Sequence, residues 1–170
     1  MSTKKVLVIM GSDSDYPVMK SCFQTLSKFG IPYDAKICSA HRSPERAKEM
    51  AARARMDGYA VIIGAAGLAA HLPGVLASFT TLPVIGVPCK GGALAGVDAL
   101  YAIVQMPAGI PVATVAIDGA ANAAILATQI LAVSDEALAD KLADYKRELN
   151  DTVDKRDRKL QELLAADREG

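Results

Sequence analysis

Short apolar runs alternate along the chain with stretches that have the spacing of amphipathic helices. The apolar runs have the length of buried strands and fall at 5–10, 33–38, 59–64, 83–88 and 111–117. Helices are predicted between and after them, at 17–29, 44–56, 72–79, 96–104 and 120–132. Gly30 is placed to end the first helix, and Ser43 is the predicted N-cap of the second, with Pro44 in its first turn. The pattern is β-α repeated five times.

This alternation predicts an α/β fold. Strands without polar alternation are typical of strands buried on both faces, and right-handed crossovers then give a parallel sheet covered by helices. We expect a three-layer αβα sandwich with a central parallel sheet, of flavodoxin-like or Rossmann-like type. Ligands bind at the carboxyl ends of the strands in such sheets. Four loops lie there: 11–15, 39–43, 64–74 and 88–96.

The C-terminal segment does not fit a compact monomer. Residues 135–166 are rich in charge and contain neither glycine nor proline. Leu138, Leu142, Tyr145 and Leu149 recur in it at spacings of four and three. Such a helix would extend about 45 Å, which exceeds the width of a domain of this size. We therefore divide the chain into an αβα catalytic domain, 1–134, and a C-terminal helical extension of it, 135–170, in subunit contacts; a frayed, solvated tail after 150 is the alternative.

Composition and charge exclude several classes of protein. The 170 residues favour one domain, and 19 basic residues balance 19 acidic ones, so we expect no nucleic-acid partner. Residues 59–89 carry no charged side chain, but glycines, Pro73 and Pro83 interrupt them before the roughly 18 apolar residues of a membrane span. The three cysteines are widely spaced, and an acidic residue follows the N-terminus too early for a secretory leader. We therefore predict a reduced, cytoplasmic protein.

The first loop, GSDSD, follows a strand and opens a helix, where free N–H groups attract an anion. Ser12 and Ser14 add hydroxyl groups, whereas Asp13 and Asp15 would repel a phosphate. Asp15 either caps the helix or accepts hydrogen bonds from the hydroxyl groups of a ribose. A simple cap without a ligand is the alternative. The named nucleotide-binding motifs are absent, and no further carboxylate completes a metal site.

The second loop contains His41 and Arg42 between the hydroxyl groups of Ser39 and Ser43. Arginine suits a bidentate grip on phosphate, and histidine exchanges protons near neutral pH. Taken alone, such a pair after a strand is more often a helix-capping or surface feature. His71, the second of only two histidines, also follows a strand, in a loop of small residues that suits a planar ligand. Two histidines at the same edge of the sheet favour a shared site.

A cysteine nucleophile is the less favoured chemistry. Cys38 ends an apolar run, where a buried and inert thiol is usual, and Cys89 has no stronger signal.

Five motifs in order then resemble the PurE family of purine biosynthesis over about residues 5–132. They read GSDSD, SAHRSP, AAHLPG, GVDALYAIVQMPAGIPVATVAI and GAANAAILATQIL. Arg42 and the AAHLPG run resemble the branch that interconverts N5-carboxyaminoimidazole ribonucleotide and 4-carboxyaminoimidazole ribonucleotide. The sister branch, which carboxylates aminoimidazole ribonucleotide directly with carbon dioxide, typically has SAHK.

The resemblance implies a role for each matching residue. His41 takes the family's proton-shuttling position, as the general acid and base. The implied substrate-binding residues are Ser12, Ser14, Asp15, Ser39, Arg42, Gly64, Ala65, Gly67, His71 and Leu72. The family implies a ribonucleotide substrate, neither metal nor organic cofactor, and a homo-octamer with C-terminal helices in its contacts.

Two further functions stay open, and this chain departs from the family pattern at three positions. The direct carboxylase is one alternative, and a non-catalytic nucleotide-binding module, which has no need of a proton shuttle at His41, is the other. Ala65 and Leu68 stand where the family commonly has glycine, and Ala108 stands where many members have arginine. Leu68 removes freedom at positive φ, so the sequence leaves the conformation of that loop undetermined.

Overall fold

A computed structural model describes residues 4–169 of the chain. Its strands are β1 (Lys5–Met10), β2 (Tyr33–Ile37), β3 (Tyr59–Gly67), β4 (Val84–Cys89) and β5 (Ala113–Thr114). Its α-helices are α1 (Tyr16–Phe29), α2 (Pro44–Arg53), α3 (Leu72–Ser78), α4 (Val97–Val104), α5 (Ala120–Ala132) and α6 (Glu136–Glu169). A 3₁₀ turn, Asp13–Asp15, precedes α1.

All five strands are parallel and form one sheet in the order β2-β1-β3-β4-β5. Helices cover both of its faces, so the predicted αβα sandwich with a central parallel sheet and a long C-terminal helix is confirmed. On one face, Leu7, Ile62 and Val84 join a core that includes buried alanines of α2 and leucines of α3. The alternate residues Val6 and Val61 are buried on the opposite face.

A glycine in the sheet lets a helix pack closely against it. Gly86 of β4 is the clearest case, since a Cβ built there would lie 2.3 Å from Cγ2 of Ile103 and 3.0 Å from Cγ1 of Val112. The absence of a side chain at Gly86 lets α4 lie directly on β4. This contact holds the C-terminal end of α4, where Ile103 lies, close to the sheet.

Three elements have a boundary that differs from the predicted one by two residues or more. β3 continues to Gly67, because Ala66 and Gly67 still pair with residues of β4. Only two residues form β5, where the sequence predicted seven, since Pro111 has no N–H to pair and the strand lies at the sheet edge. α2 ends at Arg53, and the chain then turns through Gly58, whose φ is 85°.

The chain divides into two compact units between Leu131 and Ala132. The second contains α6, which is 34 residues long and therefore about 51 Å. Asp135 caps it by accepting a hydrogen bond from the backbone N–H of Leu138. The assignment of 135–170 to subunit contacts stays a prediction. Within residues 4–169, no helix is both long enough and apolar enough to cross a membrane.

Candidate active site

The loops after β1, β2, β3 and β4 line a cleft of about 630 Å³ at the carboxyl edge of the sheet. β1 lies between β2 and β3, so the chain leaves β1 toward one side of the sheet and later crosses to the other. A reversal of this kind leaves a crevice outside the strand ends, which is where open α/β sheets bind ligands. The topology therefore places the cleft where the sequence predicted a site.

The loop after β1 is held by its own side chains. The backbone N–H of Ser12 donates to Oδ2 of Asp15 at 3.0 Å, and the N–H of Ser14 donates to Oγ of Ser12 at 3.3 Å. Together these bonds form a capping box around the 3₁₀ turn. Asp15 also occupies the N-cap position of α1, but its side chain makes no cap bond to that helix. Its capping role is thus to close the loop.

Asp15 is a buried carboxyl group at the floor of the cleft, with 7% of its surface exposed. Burial raises its pKa, while the hydrogen bonds that it accepts from the backbone of Ser12 and Gly11 oppose that rise. A carboxylate has about four acceptor positions, more than these two bonds use. This arrangement suits hydrogen bonds from hydroxyl groups of a ligand.

The loop after β2 is a tight turn built on Ser39. Its Oγ accepts the backbone N–H of Arg42 at 3.2 Å, and its carbonyl oxygen accepts both the N–H and the Oγ–H of Ser43, at 2.9 and 3.0 Å. Ser43 is the N-cap residue of α2 as predicted by position, but its side chain makes no cap bond to the helix. The turn leaves the side chains of His41 and Arg42 exposed at the cleft.

The loop after β3 brings the second histidine to the first. Nε2 of His41 lies 2.8 Å from Nδ1 of His71, and the two rings meet edge to face with their centroids 4.9 Å apart. Two tight turns hold this loop, since the N–H of Ala70 donates to the oxygen of Leu68 and that of His71 to the oxygen of Ala69, both at 2.8 Å. The structure therefore joins the chain's two histidines in one hydrogen-bonded pair.

The loop after β4 supplies a wall of the cleft that the sequence did not assign residue by residue. Lys90, Gly91 and Gly92 line the cleft, and the N–H of Lys90 donates to Oδ1 of Asp118 at 2.8 Å. A lysine directly after a strand at the ligand edge was the available signal. Lys90 adds a positive charge on the side of the cleft opposite α2.

The cysteines do not form a nucleophilic site. Cys38 is buried outside the cleft lining, with its sulfur 3.6 Å from Oγ of Ser43. Cys89 reaches the cleft floor but is buried, and burial together with the negative charges of Asp15 and Asp118 raises the pKa of its thiol to about 12. A thiol with that pKa is a poor nucleophile near neutral pH.

Most of the site residues implied by the sequence line this one cleft. Those that do are Ser12, Ser14, Asp15, Ser39, His41, Arg42, Gly67, His71 and Leu72. Gly64 and Ala65 do not: both lie within β3, and Ala65 instead accepts the N–H of Gly11 at its carbonyl oxygen. Within the described part of the chain, no group of three or more His, Cys, Asp or Glu side chains could hold a metal ion.

Known proteins are similar to this chain in both sequence and fold. The model of the AIR carboxylase family matches residues 5–152. N5-carboxyaminoimidazole ribonucleotide mutases from Pyrococcus horikoshii and Thermotoga maritima are 54% and 51% identical, over 96% and 94% of this chain and 93% of each relative. The chloroplastic phosphoribosylaminoimidazole carboxylase of Vigna aconitifolia is 50% identical over 85% of this chain, which spans 26% of that protein.

A solved structure agrees with these matches. The crystal structure of Treponema denticola PurE superposes with a TM-score of 0.84 at 31% identity, covering 92% of this chain and 98% of that one. The sequence matches and the superposed fold thus indicate the same family. The chain belongs to the AIR carboxylase family.

Proposed function

We propose that this chain is a mutase of purine biosynthesis, which interconverts N5-carboxyaminoimidazole ribonucleotide and 4-carboxyaminoimidazole ribonucleotide. The hydrogen-bonded pair of His41 and His71 is the observation that carries this proposal, because it provides a proton carrier beside a cleft built for a sugar phosphate. The mutases from Pyrococcus horikoshii and Thermotoga maritima, at 54% and 51% identity over nearly the whole chain, support the same activity.

The cleft offers separate partners for each part of a ribonucleotide. Arg42 and the hydroxyl groups of Ser39 and Ser14 receive the phosphate, since within residues 4–169 the guanidinium forms no ion pair that would compete. Asp15 accepts hydrogen bonds from the ribose. Gly67 and Ala69, small residues that line the cleft beside His71, take the flat imidazole ring.

Two bonds change in the reaction. The carbamate C–N bond breaks, its electron pair stays on nitrogen, and that nitrogen takes a proton as carbon dioxide is released. The ring carbon then attacks carbon dioxide to form the new C–C bond and loses its own proton. One proton is therefore delivered and one removed, and a single acid-base group can carry both.

We assign both proton transfers to His41. Its Nε2 is held by His71, which fixes the direction of the ring, and Nδ1 is the nitrogen that we assign to the transfer. Carbon dioxide is neutral and weakly bound, so its confinement close to the ring carbon does the remaining work. No step of this scheme needs a metal ion or an organic cofactor.

Direct carboxylation is the second candidate, because the Vigna aconitifolia relative with that name is 50% identical over 145 residues. The two activities are separated by their substrates. The isolated protein in metal-free buffer is given either the N5-carboxylated ribonucleotide, or aminoimidazole ribonucleotide with bicarbonate. We expect the protein to form 4-carboxyaminoimidazole ribonucleotide from the N5-carboxylated substrate at catalytic rates. Product formed only from aminoimidazole ribonucleotide with bicarbonate would identify a carboxylase instead. Binding of either substrate without turnover would identify a nucleotide-binding module.

We also propose that the protein is a homo-octamer of the cytoplasm. α4 leaves Val97, Tyr101 and Val104 exposed at helical spacing, and α6 leaves Leu149 and Val153 exposed in the same way. Exposed apolar stripes of this kind are typical of surfaces that bind another chain. The mass in solution, from size exclusion with light scattering, tests the assembly; a monomer of 17.8 kDa would contradict it.

A further inference from the structure

Leu68 is unusual in both its backbone and its side chain. Its φ of 53° lies in the left-handed region, which residues with a side chain rarely adopt. Its side chain is 56% exposed, and among the described residues that line the cleft it is the one large apolar side chain exposed to solvent. Glycine would adopt this backbone conformation without strain. The leucine therefore has to contribute through its side chain.

The side chain of Leu68 reaches across to the loop after β4. A Cβ built on Gly92 would lie 2.6 Å from Cδ2 of Leu68, so the leucine methyl group lies directly on the backbone of that glycine. Gly92 itself has a φ of 59°. Any larger residue at position 92 would push the leucine away. We call this contact between the two loops the Leu68–Gly92 clasp.

The clasp lies between two walls of the same cleft. Leu68 belongs to the loop that carries His71, and Gly92 to the loop that carries Lys90. The charged and hydroxyl side chains elsewhere in the lining can hold a phosphate and a ribose, but their charges do not attract a small neutral molecule. The Leu68–Gly92 clasp is apolar and joins the two loops, so it is the element that can hinder the escape of such a molecule.

We propose that Leu68 retains carbon dioxide in the cleft between the breaking of the carbamate C–N bond and the forming of the C–C bond. This inference rests on the proposed mutase function. Released carbon dioxide has no charge for Arg42 or Lys90 to hold, so its fate depends on whether the exit is closed for the time that the ring carbon needs to attack it. An open exit gives aminoimidazole ribonucleotide and free carbon dioxide instead of product.

Label retention measures this directly. The substrate carries ¹³C in its carbamate carboxyl group, the buffer holds excess unlabelled bicarbonate, and the ¹³C content of the 4-carboxylated product is read by mass spectrometry. Free aminoimidazole ribonucleotide is quantified in the same samples, after correction for breakdown of the carbamate without enzyme. The wild-type protein is expected to keep its label in the product.

Three substitutions at this position separate the side chain from the backbone. Leu68→Ala removes the clasp and keeps a strained backbone, Leu68→Gly removes the clasp and relieves the strain, and Leu68→Met restores apolar bulk. Leu94→Ala is the matched control, because Leu94 is 61% exposed in the same loop as Gly92 but does not line the cleft. Thermal unfolding and solution mass are recorded for every variant.

We expect both Leu68→Ala and Leu68→Gly to lose label and release aminoimidazole ribonucleotide several-fold more than the wild type, with Leu68→Met close to wild type and Leu94→Ala unchanged. Leu68→Gly should unfold at the same or a higher temperature than the wild type, so its defect would not come from lost stability. Full label retention in both small variants would overturn the proposal. Unlabelled 4-carboxylated product from the wild type would also overturn the proposal. If the wild type makes no 4-carboxylated product at all from the carbamate, the mutase function fails instead, which is a distinct outcome.

Discussion

Replacing Arg42 with alanine tests the assignment of the phosphate most sharply. The guanidinium is exposed and forms no ion pair within the described chain, so its removal leaves no buried charge without a partner. The turn around it depends on the backbone N–H of Arg42, which donates to Oγ of Ser39 at 3.2 Å, and alanine keeps that N–H. The substitution should therefore act on the substrate and not on the fold.

The size of the effect follows from the contact that is lost. A charge-assisted hydrogen bond contributes about 1.5 to 3 kcal/mol, which corresponds to a KM raised about 10- to 150-fold. Loss of a positive charge at a distance is much weaker: about 0.4 kcal/mol for a unit charge roughly 10 Å away in water, before screening by salt. A direct contact between Arg42 and the phosphate thus predicts a much larger rise in KM than a long-range effect of its charge.

Arg46→Ala is the matched control for this experiment. Arg46 lies four residues after Arg42, in the first turn of α2; it is exposed, has no ion pair within residues 4–169 and does not line the cleft. Initial rates of product formation are measured against substrate concentration for the wild type, Arg42→Ala, Arg42→Lys and Arg46→Ala. We expect a large rise in KM with little change in kcat for Arg42→Ala, an intermediate rise for Arg42→Lys, and no more than about a twofold change for Arg46→Ala. Equal KM values for the two alanine variants would refute the phosphate assignment.

Three further outcomes are expected. His41→Asn should abolish turnover while ribonucleotide binding, followed by calorimetry, stays largely intact; turnover near the wild-type rate would remove His41 from the mechanism. Gly86→Ala places a Cβ 2.3 Å from Ile103 and should destabilise the fold by about 1 to 3 kcal/mol in denaturant unfolding, and the double variant with Ile103→Ala should lose less stability than the sum of the two single losses. Burial raises the pKa of Asp15, so folding favours the protonated form of this side chain. The stability of the wild type relative to Asp15→Asn should therefore improve as the pH falls through that raised pKa toward the ordinary pKa of Asp. A difference in unfolding temperature that changes in the opposite direction with pH contradicts this prediction.

Much of the fold was predictable because local and tertiary signals agree. β1 and α5 begin and end at the predicted residues, since an apolar run between charged or glycine-rich segments leaves little choice of boundary. The end of β3 was not predictable in the same way. Its last residues, Ala65 to Gly67, have no polar alternation, and pairing with β4 continues through Ala66 and Gly67 after the pairing with β1 has ended at Ala65.

The candidate site was predictable as a location and less so as a set of contacts. The carboxyl edge of a parallel sheet nominated the correct loops, and most of the named residues line the cleft. The bond between His41 and His71 joins residues 30 positions apart and exists because β2 and β3 both flank β1, which the order of strands in the sequence does not reveal. Lys90 was missed for a similar reason, because its place in the wall depends on the loop that Asp118 holds.

The three cysteines of the chain are reduced and buried, and this makes them reporters of motion. Cys22 lies on the buried face of α1, whereas Cys89 lies at the floor of the cleft. Burial raises the pKa of both thiols to about 12. A thiol-specific reagent can modify either only when the protein opens around it. The ratio of the two modification rates therefore distinguishes local breathing of the cleft from global unfolding, without any engineered probe.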